Sequence, residues 1–445
     1  MASEGMGRRA FLTAGAAAAV GASGLLLEGC DDDEASSVEP SSAPAGSVAG
    51  DDWEQVRSSF ALDPELAQFA AFVLAGHPKP VRDAITRWRE QLDTDPDAVI
   101  HEATRHDDKV RAAAADYLGV RADEIVLTDS TTMGIGLTYH GLRLRPGDHI
   151  LTSTHDFYST HESLRLAAAQ SGAQVQKIAL YDDPAAASAD QIVSRVRDAL
   201  SPETRLVALT WVHSSTGVRL PVRAIADAVA EANAGRDADE RAVFSLDAVH
   251  GFGAQAAGPN ELGVDVFISG THKWLFGPRG TGLVWLRPDV GRTVAPIIPA
   301  FDATSIGNWM FDQHRTGPYG SLLTPGGYQA FEHRWAAADA FAFHREIGRD
   351  RIAARTTELA TRLKDGLAEQ PNVQLVTPRD PELSGGVVCC LIAGIEPFEA
   401  VLALREKHQI VASVTPYRES YLRFGPSIAT SSEQVDAVVQ AVASL

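Results

Sequence analysis

Asp247, His250 and Lys273 are the residues whose types and placement could most directly do chemistry. Each follows a short apolar run: Phe244–Leu246 leads to Asp247 and then His250, and Val264–Ile268 leads through a polar turn to Lys273. A lysine amine near its neutral form is a nucleophile towards an aldehyde. A carboxylate beside a ring nitrogen keeps that nitrogen protonated, so the ring withdraws electrons from whatever is attached to it. Beyond the lysine, Gly277-Pro278-Arg279-Gly280-Thr281-Gly282 reads as a tight turn into the apolar run Leu283–Leu286.

Three side chains from two segments meet only if the elements carrying them lie side by side. Apolar runs of strand length alternate with amphipathic helices: strands at Glu124–Thr128, His149–Ser153, Val175–Leu180 and Leu206–Val212, helices at Ala189–Leu200 and Val222–Ala234. That alternation predicts an α/β fold with a mostly parallel sheet. In such a sheet the residues just past the C-terminal strand ends line the ligand crevice, which is where Asp247, His250 and Lys273 fall. A long helix over Tyr328–Gly348 leads to a second alternation: Val373–Val376, Gly386–Ile392, a helix Pro397–Lys407, then Ile410–Ser413. The reading is an N-terminal segment and large domain over 53–330, followed by the long helix and a small C-terminal α/β domain over 331–445.

The spacing D-x-x-H at Asp247 and His250, followed by Ser269-Gly-Thr-His-Lys-Trp and the Gly-Pro turn, resembles the class V aminotransferases of fold type I. The resemblance covers roughly residues 60–445. Within it, His272–Pro278, His213–Gly217 and Phe331–Trp335 are similar to the isopenicillin N epimerase-like branch, which includes an exported enzyme that modifies a siderophore side chain. The resemblance implies pyridoxal 5'-phosphate (PLP) held by Lys273 as a Schiff base, with Asp247 on the ring nitrogen. It implies Thr131 and Thr132 at the phosphate, where a strand, turn and helix start would offer free amides, together with Ser269, Thr271 and His272. His155 or Phe157 would stack on the ring, and His250 with Ser214, or with His213 one residue earlier, would contact its phenolic oxygen. Arg423, in Tyr421-Leu-Arg-Phe-Gly-Pro-Ser, would bind the substrate α-carboxylate with its planar fork. Gly326 and Gly327 would reach the neighbouring subunit of a homodimer.

The remaining features concern place and partners. Fifty-eight acidic against 39 basic residues give a net charge of -19, which argues against nucleic acid as a partner. Residues 1–30 open with Arg8-Arg9-Ala-Phe-Leu and continue as an Ala/Gly/Leu run, the pattern of a twin-arginine export signal. Leu27-Glu-Gly-Cys30 resembles a lipoprotein box, with Glu28 departing from it. Residues 31–52, acidic and rich in Ser, Pro and Ala, read as a flexible tether. The expectation is a protein handed folded to the twin-arginine machinery and delivered to the periplasm or cell envelope, possessing a lipid anchor if Cys30 is modified. Cys389 and Cys390 lie in an apolar run and read as core. Residues 411–422 contain no cysteine, so a protein persulfide is not expected. The expected activity is on the amino group of an amino acid or peptide-like metabolite, by transamination or oxidative tailoring, with epimerisation or β-elimination as alternatives; a binding protein without catalysis is disfavoured by the intact trio.

Overall fold

The computed structural model describes residues 52–313 and 316–445. The Arg8-Arg9 signal, Cys30 and nearly all of the tether therefore lie outside the described residues.

The large domain is built on seven strands: β2 (Ile125–Thr128), β3 (His149–Ser153), β4 (Gln174–Ile178), β5 (Thr204–Thr210), β6 (Val243–Asp247), β7 (Val266–Gly270) and β8 (Gly282–Leu286). Their order is β2-β8-β7-β6-β5-β3-β4. Pairing is parallel from β7 through β6, β5 and β3 to β4, and β8 runs antiparallel to both of its neighbours. Nearly every residue of β5 to β8 is buried. The sheet is therefore covered on both faces, which is why these strands read as continuous rather than alternating apolar runs. One face packs with Trp285, Phe267, Leu246 and the helix residues Trp335 and Phe341; the other packs with Val126, Ile150, Ile268 and Tyr139.

The small domain carries β9 (Val373–Leu375), β10 (Val388–Ile392), β12 (Ser413–Val414) and β13 (Leu422–Phe424), ordered β12-β13-β10-β9 and antiparallel throughout. Helices Arg349–Ala368 and Ser432–Ser444 cover it with Leu359, Leu363, Val435 and Val438. Cys389 and Cys390 are fully buried in β10. The long helix runs over Phe331–Ile347.

Ile410–Ser413 is not the single strand the apolar run suggested. It divides at Ala412: β11 (Ile410–Val411) pairs in parallel with β1 (Ala67–Gln68), and Ser413–Val414 joins the small sheet. The N-terminal segment thereby becomes a strand partner of the small domain. The amide of Gly425 donates to the carbonyl of Phe69 at 2.7 Å, which draws residues 69–73 across the base of that domain.

Candidate active site

A cavity of about 330 Å³ opens where β5, β6 and β7 end, within the range of small-ligand sites. It is lined from the large domain by Thr131, Thr132, Phe157, Ser214, Asp247, His250, His272 and Lys273, from the N-terminal segment by Phe72 and Val73, and from the small domain by Pro416 and Arg423.

Asp247 is the last residue of β6, buried, with Oδ1 accepting from the amide of Val249 at 3.1 Å. Burial pushes its carboxyl above the ordinary range, against that hydrogen bond and the pull of Lys273. Lys273 sits three residues past the end of β7. Burial lowers its ammonium below the ordinary 10.5, while Asp247 draws it back up. The two groups thus bring each other's charges into a site that would otherwise neutralise both. The Lys273 amine also meets Nε2 of His250 at 3.4 Å. Burial holds His250 well below 6.5, so its imidazole is neutral at physiological pH.

At the opposite end, the helix Thr131–Gly141 points its first turn at the cavity. Ser130 caps it by accepting from Met133 N at 3.1 Å, which leaves the Thr131 and Thr132 amides without an intrahelical acceptor. The Thr131 hydroxyl accepts from Gly270 N at 2.7 Å, tying this helix start to the end of β7.

Phe157 is placed by Asp156, which sequence reading missed. Asp156 is buried and fully bonded: Oδ2 accepts from Thr152 Oγ1, Ser153 N and Ser153 Oγ at 2.9, 2.8 and 2.7 Å, and Oδ1 from Thr210 N at 2.7 Å. With the middle residue of His155-Asp156-Phe157 turned inward, its two neighbours face different ways. Phe157 lines the cavity. His155 stacks on Tyr181, with ring centres 3.8 Å apart, and its Nε2 accepts from Leu180 N at 3.2 Å, so it is outside the cavity lining.

Ser214 lines the cavity, whereas His213 is buried with Nδ1 bonded to Tyr181 Oη at 2.8 Å. The turn carrying both depends on Gly217, at φ +76, where a Cβ would stand 2.2 Å from the Val387 carbonyl.

Two further expectations do not hold through the cavity. Ser269, fully buried in β7, donates to the Gly270 carbonyl at 2.9 Å. Thr271 turns its hydroxyl into the 271–281 loop, against Thr281 Oγ1 and the Pro278 carbonyl. The Thr271 hydroxyl closes the loop that presents Lys273, the Ser269 hydroxyl stays on its own strand, and His272 alone of the three lines the cavity.

Arg423, in β13, donates from Nε to Ser413 Oγ (3.0 Å), from Nη1 to the Ser214 carbonyl (2.9 Å) and from Nη2 to the Val414 carbonyl (3.3 Å). All three acceptors are neutral, and the guanidinium lies 4.7 Å from the centre of the Phe72 ring. Phe72 packs there because Gly425 has no side chain; a Cβ would meet the ring at 2.1 Å. No carboxylate ion-pairs with Arg423 among the described residues, so a buried positive charge faces the cavity without a counter-ion.

Three buried polar atoms on cavity-lining residues have no protein partner: Nδ1 of His250, Nδ1 of His272 and Oγ1 of Thr210. Orphaned polar atoms beside a cavity call for a polar occupant. A ligand with an anionic end at Thr131 and Thr132, an aldehyde within reach of an amine and a flat ring for Phe157 suits this set, and PLP has that chemistry.

A family model, aminotransferase class-V, matches residues 78–437. The chain is 27% identical over 412 residues to an isopenicillin N epimerase of Streptomyces clavuligerus, covering 88% of this chain and 98% of that one. It is 24% identical to a probable cysteine desulfurase of Pyrococcus abyssi (strain GE5 / Orsay), covering 80% and 86%. Among solved structures, a C-DES mutant with glycine covalently linked to its PLP cofactor superposes with a TM-score of 0.76 at 19% identity, covering 87% of this chain and 98% of that one. The apo cysteine desulfurase of Thermococcus onnurineus NA1 gives 0.73 at 21%, covering 87% and 96%. The chain has the fold of type I PLP enzymes, and it belongs to the class-V aminotransferase family of PLP-dependent enzymes.

Proposed function

We propose that the protein acts on the amino group of an amino acid or a peptide-like secondary metabolite with a free α-carboxylate, by transamination or oxidative tailoring; a siderophore-type peptide is one such substrate. The observation that carries this is the convergence on one cavity of the Lys273 amine, the Asp247 carboxylate and the uncompensated Arg423 guanidinium. When bound, PLP supplies an electron-withdrawing ring that lowers the barrier to breaking a bond at the substrate's Cα. Lys273 would hold the cofactor and, once released, carry the proton taken from Cα. Asp247 would keep the ring nitrogen charged. Thr131, Thr132 and His272 would hold the phosphate, Phe157 would cover one ring face, and Ser214 and His250 would bond the phenolic oxygen. Arg423 would fix the carboxylate and so orient the Cα–H bond.

Transfer of the amino group asks for proton movement on one side of the substrate, a task for one amine. Phe157, which takes the cavity-facing place beside Asp156, carries no proton to give from its own side. Epimerisation is the second reading, favoured by the similarity to the isopenicillin N epimerase of Streptomyces clavuligerus over nearly its full length. Desulfuration through a protein persulfide is disfavoured. Cys389 and Cys390 are buried, and burial holds the Cys389 thiol up at about 12.

A second copy of the chain is the proposed partner. Ile297, Phe301, Trp309, Phe311 and Tyr328 are exposed along one segment, with Phe301 packed over Gly326; this apolar surface suits a homodimer. The twin-arginine pattern supports delivery of the folded, loaded protein to the periplasm or cell envelope.

The test is incubation of the PLP-loaded protein with a panel of amino acids and peptides in deuterated water. A keto product identifies amino transfer, and an inverted, deuterated amino acid identifies epimerisation. Failure of every bound amino compound to take deuterium at Cα would overturn the reading. Loss of the cofactor's visible band in Lys273→Ala checks the attachment point.

A further inference from the structure

Besides Pro416 and Arg423, the small domain reaches the cavity through a third residue that does not itself line it. Strands β12 and β13 are joined by a tight loop: Thr415 N donates to the Tyr421 carbonyl at 3.0 Å, and Tyr421 N to Thr415 Oγ1 at 2.9 Å. At its tip, Pro416 lines the cavity and Tyr417 turns inward. Tyr417 Oη meets Ser214 Oγ at 2.8 Å, across the boundary between the domains. Its ring packs edge-on against Phe157, centre to centre 5.9 Å. Tyr417 thus stands behind two of the side chains that line the cavity.

Two hydroxyls in contact have two protons and room for one between them. If Ser214 donated, the Tyr417 proton would be left in a half-buried place with no other acceptor among the described residues. If Tyr417 donates, the Ser214 proton is directed away from Tyr417 and into the cavity, where an oxygen acceptor can take it. The phenol is the more acidic of the two hydroxyls, which favours the second arrangement. Burial raises the Tyr417 hydroxyl above its ordinary range, so it keeps its proton at any physiological pH.

We propose that Tyr417 is a positioning residue: it donates to Ser214, so that Ser214 presents its own proton to an oxyanion in the cavity, and it braces Phe157 from behind. In the PLP reading, on which this assignment of the oxyanion rests, that acceptor is the cofactor's phenolic oxygen. The hydrogen bond also ties the small domain to the hydrogen bonding of the site, since donor and acceptor sit on different domains.

The experiment is a cycle of Tyr417→Phe, Ser214→Ala and the double variant in the full-length protein, with two readouts. In the PLP-loaded protein, the pH midpoint of the visible colour change is expected to rise by about 0.5–1 unit in either single variant, because a weakened donor stabilises the oxyanion less. The double variant should move no further than Ser214→Ala alone. KM for an amino substrate should change less than kcat. In the cofactor-free protein, urea unfolding should show the pair coupled by about fivefold in the unfolding constant. An unmoved midpoint in Tyr417→Phe, shifts that add in the double variant, or additive unfolding constants would each overturn the proposal. If the wild-type protein forms no coloured complex, the PLP reading fails by itself. The unfolding cycle then still decides whether Tyr417 and Ser214 act as a pair.

Discussion

The Lys273 amine lies 3.4 Å from Nε2 of His250, whose other ring nitrogen is buried and without a protein partner. A neutral imidazole has one N–H. If Nε2 accepts from the ammonium, the proton sits on Nδ1 and is free for a ligand oxygen. His250→Phe keeps the ring and its edge contact with Phe72, 6.1 Å between centres, but removes the acceptor. The ammonium of Lys273 then loses support, so PLP capture, which needs the neutral amine, should reach half-maximum at a pH lower by about 0.5–1 unit, where one unit is about 1.4 kcal/mol. Following the visible band against pH checks this; an unshifted profile would mean that the 3.4 Å contact has no part in setting the amine.

Arg423 uses three separate nitrogens to hold its orientation. A lysine has the charge without the fork. Arg423→Lys and Arg423→Ala should therefore both raise KM for a carboxylate-bearing substrate, by about 10²-fold for a charged hydrogen bond of ~2–3 kcal/mol, and the lysine should rescue little. Steady-state kinetics on substrate and on its carboxamide would separate the two: the amide should lose its disadvantage in the alanine variant.

Asp156 is expected to matter for the site although it does not line the cavity. Asp156→Ala leaves the buried amides of Ser153 and Thr210 without their acceptor. A cost of about 3–5 kcal/mol in unfolding free energy follows from two orphaned donors and a small void. Urea denaturation measures that cost. PLP affinity should fall as well, because the loop that aims Phe157 loses its anchor.

Acid should destabilise the protein well above the carboxylate range. His155, His213 and His344 are held neutral by burial, each lowered from 6.5 to about 3. The unfolded chain binds these protons at about pH 6.5 and the folded chain does not, so stability is lost as pH falls from 6.5 towards 3. Asp247 acts in the opposite sense, since its raised folded pKa lets the native state take a proton first. His77, lowered to about 4, and His250, held well below 6.5, add to the histidine side, so the net is several protons, each about 1.4 kcal/mol per pH unit. His344→Gln should flatten the slope by about one proton, read from urea midpoints at several pH values between 7.5 and 5. A slope that His344→Gln leaves unchanged would show that His344 is not one of these groups.

Asp247, His250 and Lys273 were legible because each follows an apolar run that becomes a strand of a buried sheet, and strand ends fix the direction of what comes next. Arg423 was legible through its motif. Phe72 was not: nothing near it in sequence says that the pairing of Ala67 with Ile410 brings it beneath Arg423. Ser269 and Thr271 have the right types for a phosphate, but the closure of the 271–281 loop takes up the Thr271 hydroxyl. Between His155 and Phe157 composition could not choose. The decision lay in Asp156, whose acceptor oxygens are matched by donors from the adjacent residues and from β5, half a hundred residues away in the chain.

The pairing of β1 with β11 also sets a timetable. Residues 67–73 leave the ribosome early, while their strand partner at Ile410 is translated roughly 340 residues later, a delay of roughly 17–70 s at ~5–20 residues per second. Until then Phe72 has no Gly425 to pack against and Arg423 does not exist. The large-domain half, with Lys273 and the helix that starts at Thr131, can be assembled well before that moment. The cavity is thus finished from its small-domain end, at the close of synthesis, and a truncated chain would retain the lysine without the wall that Phe72 and Arg423 make.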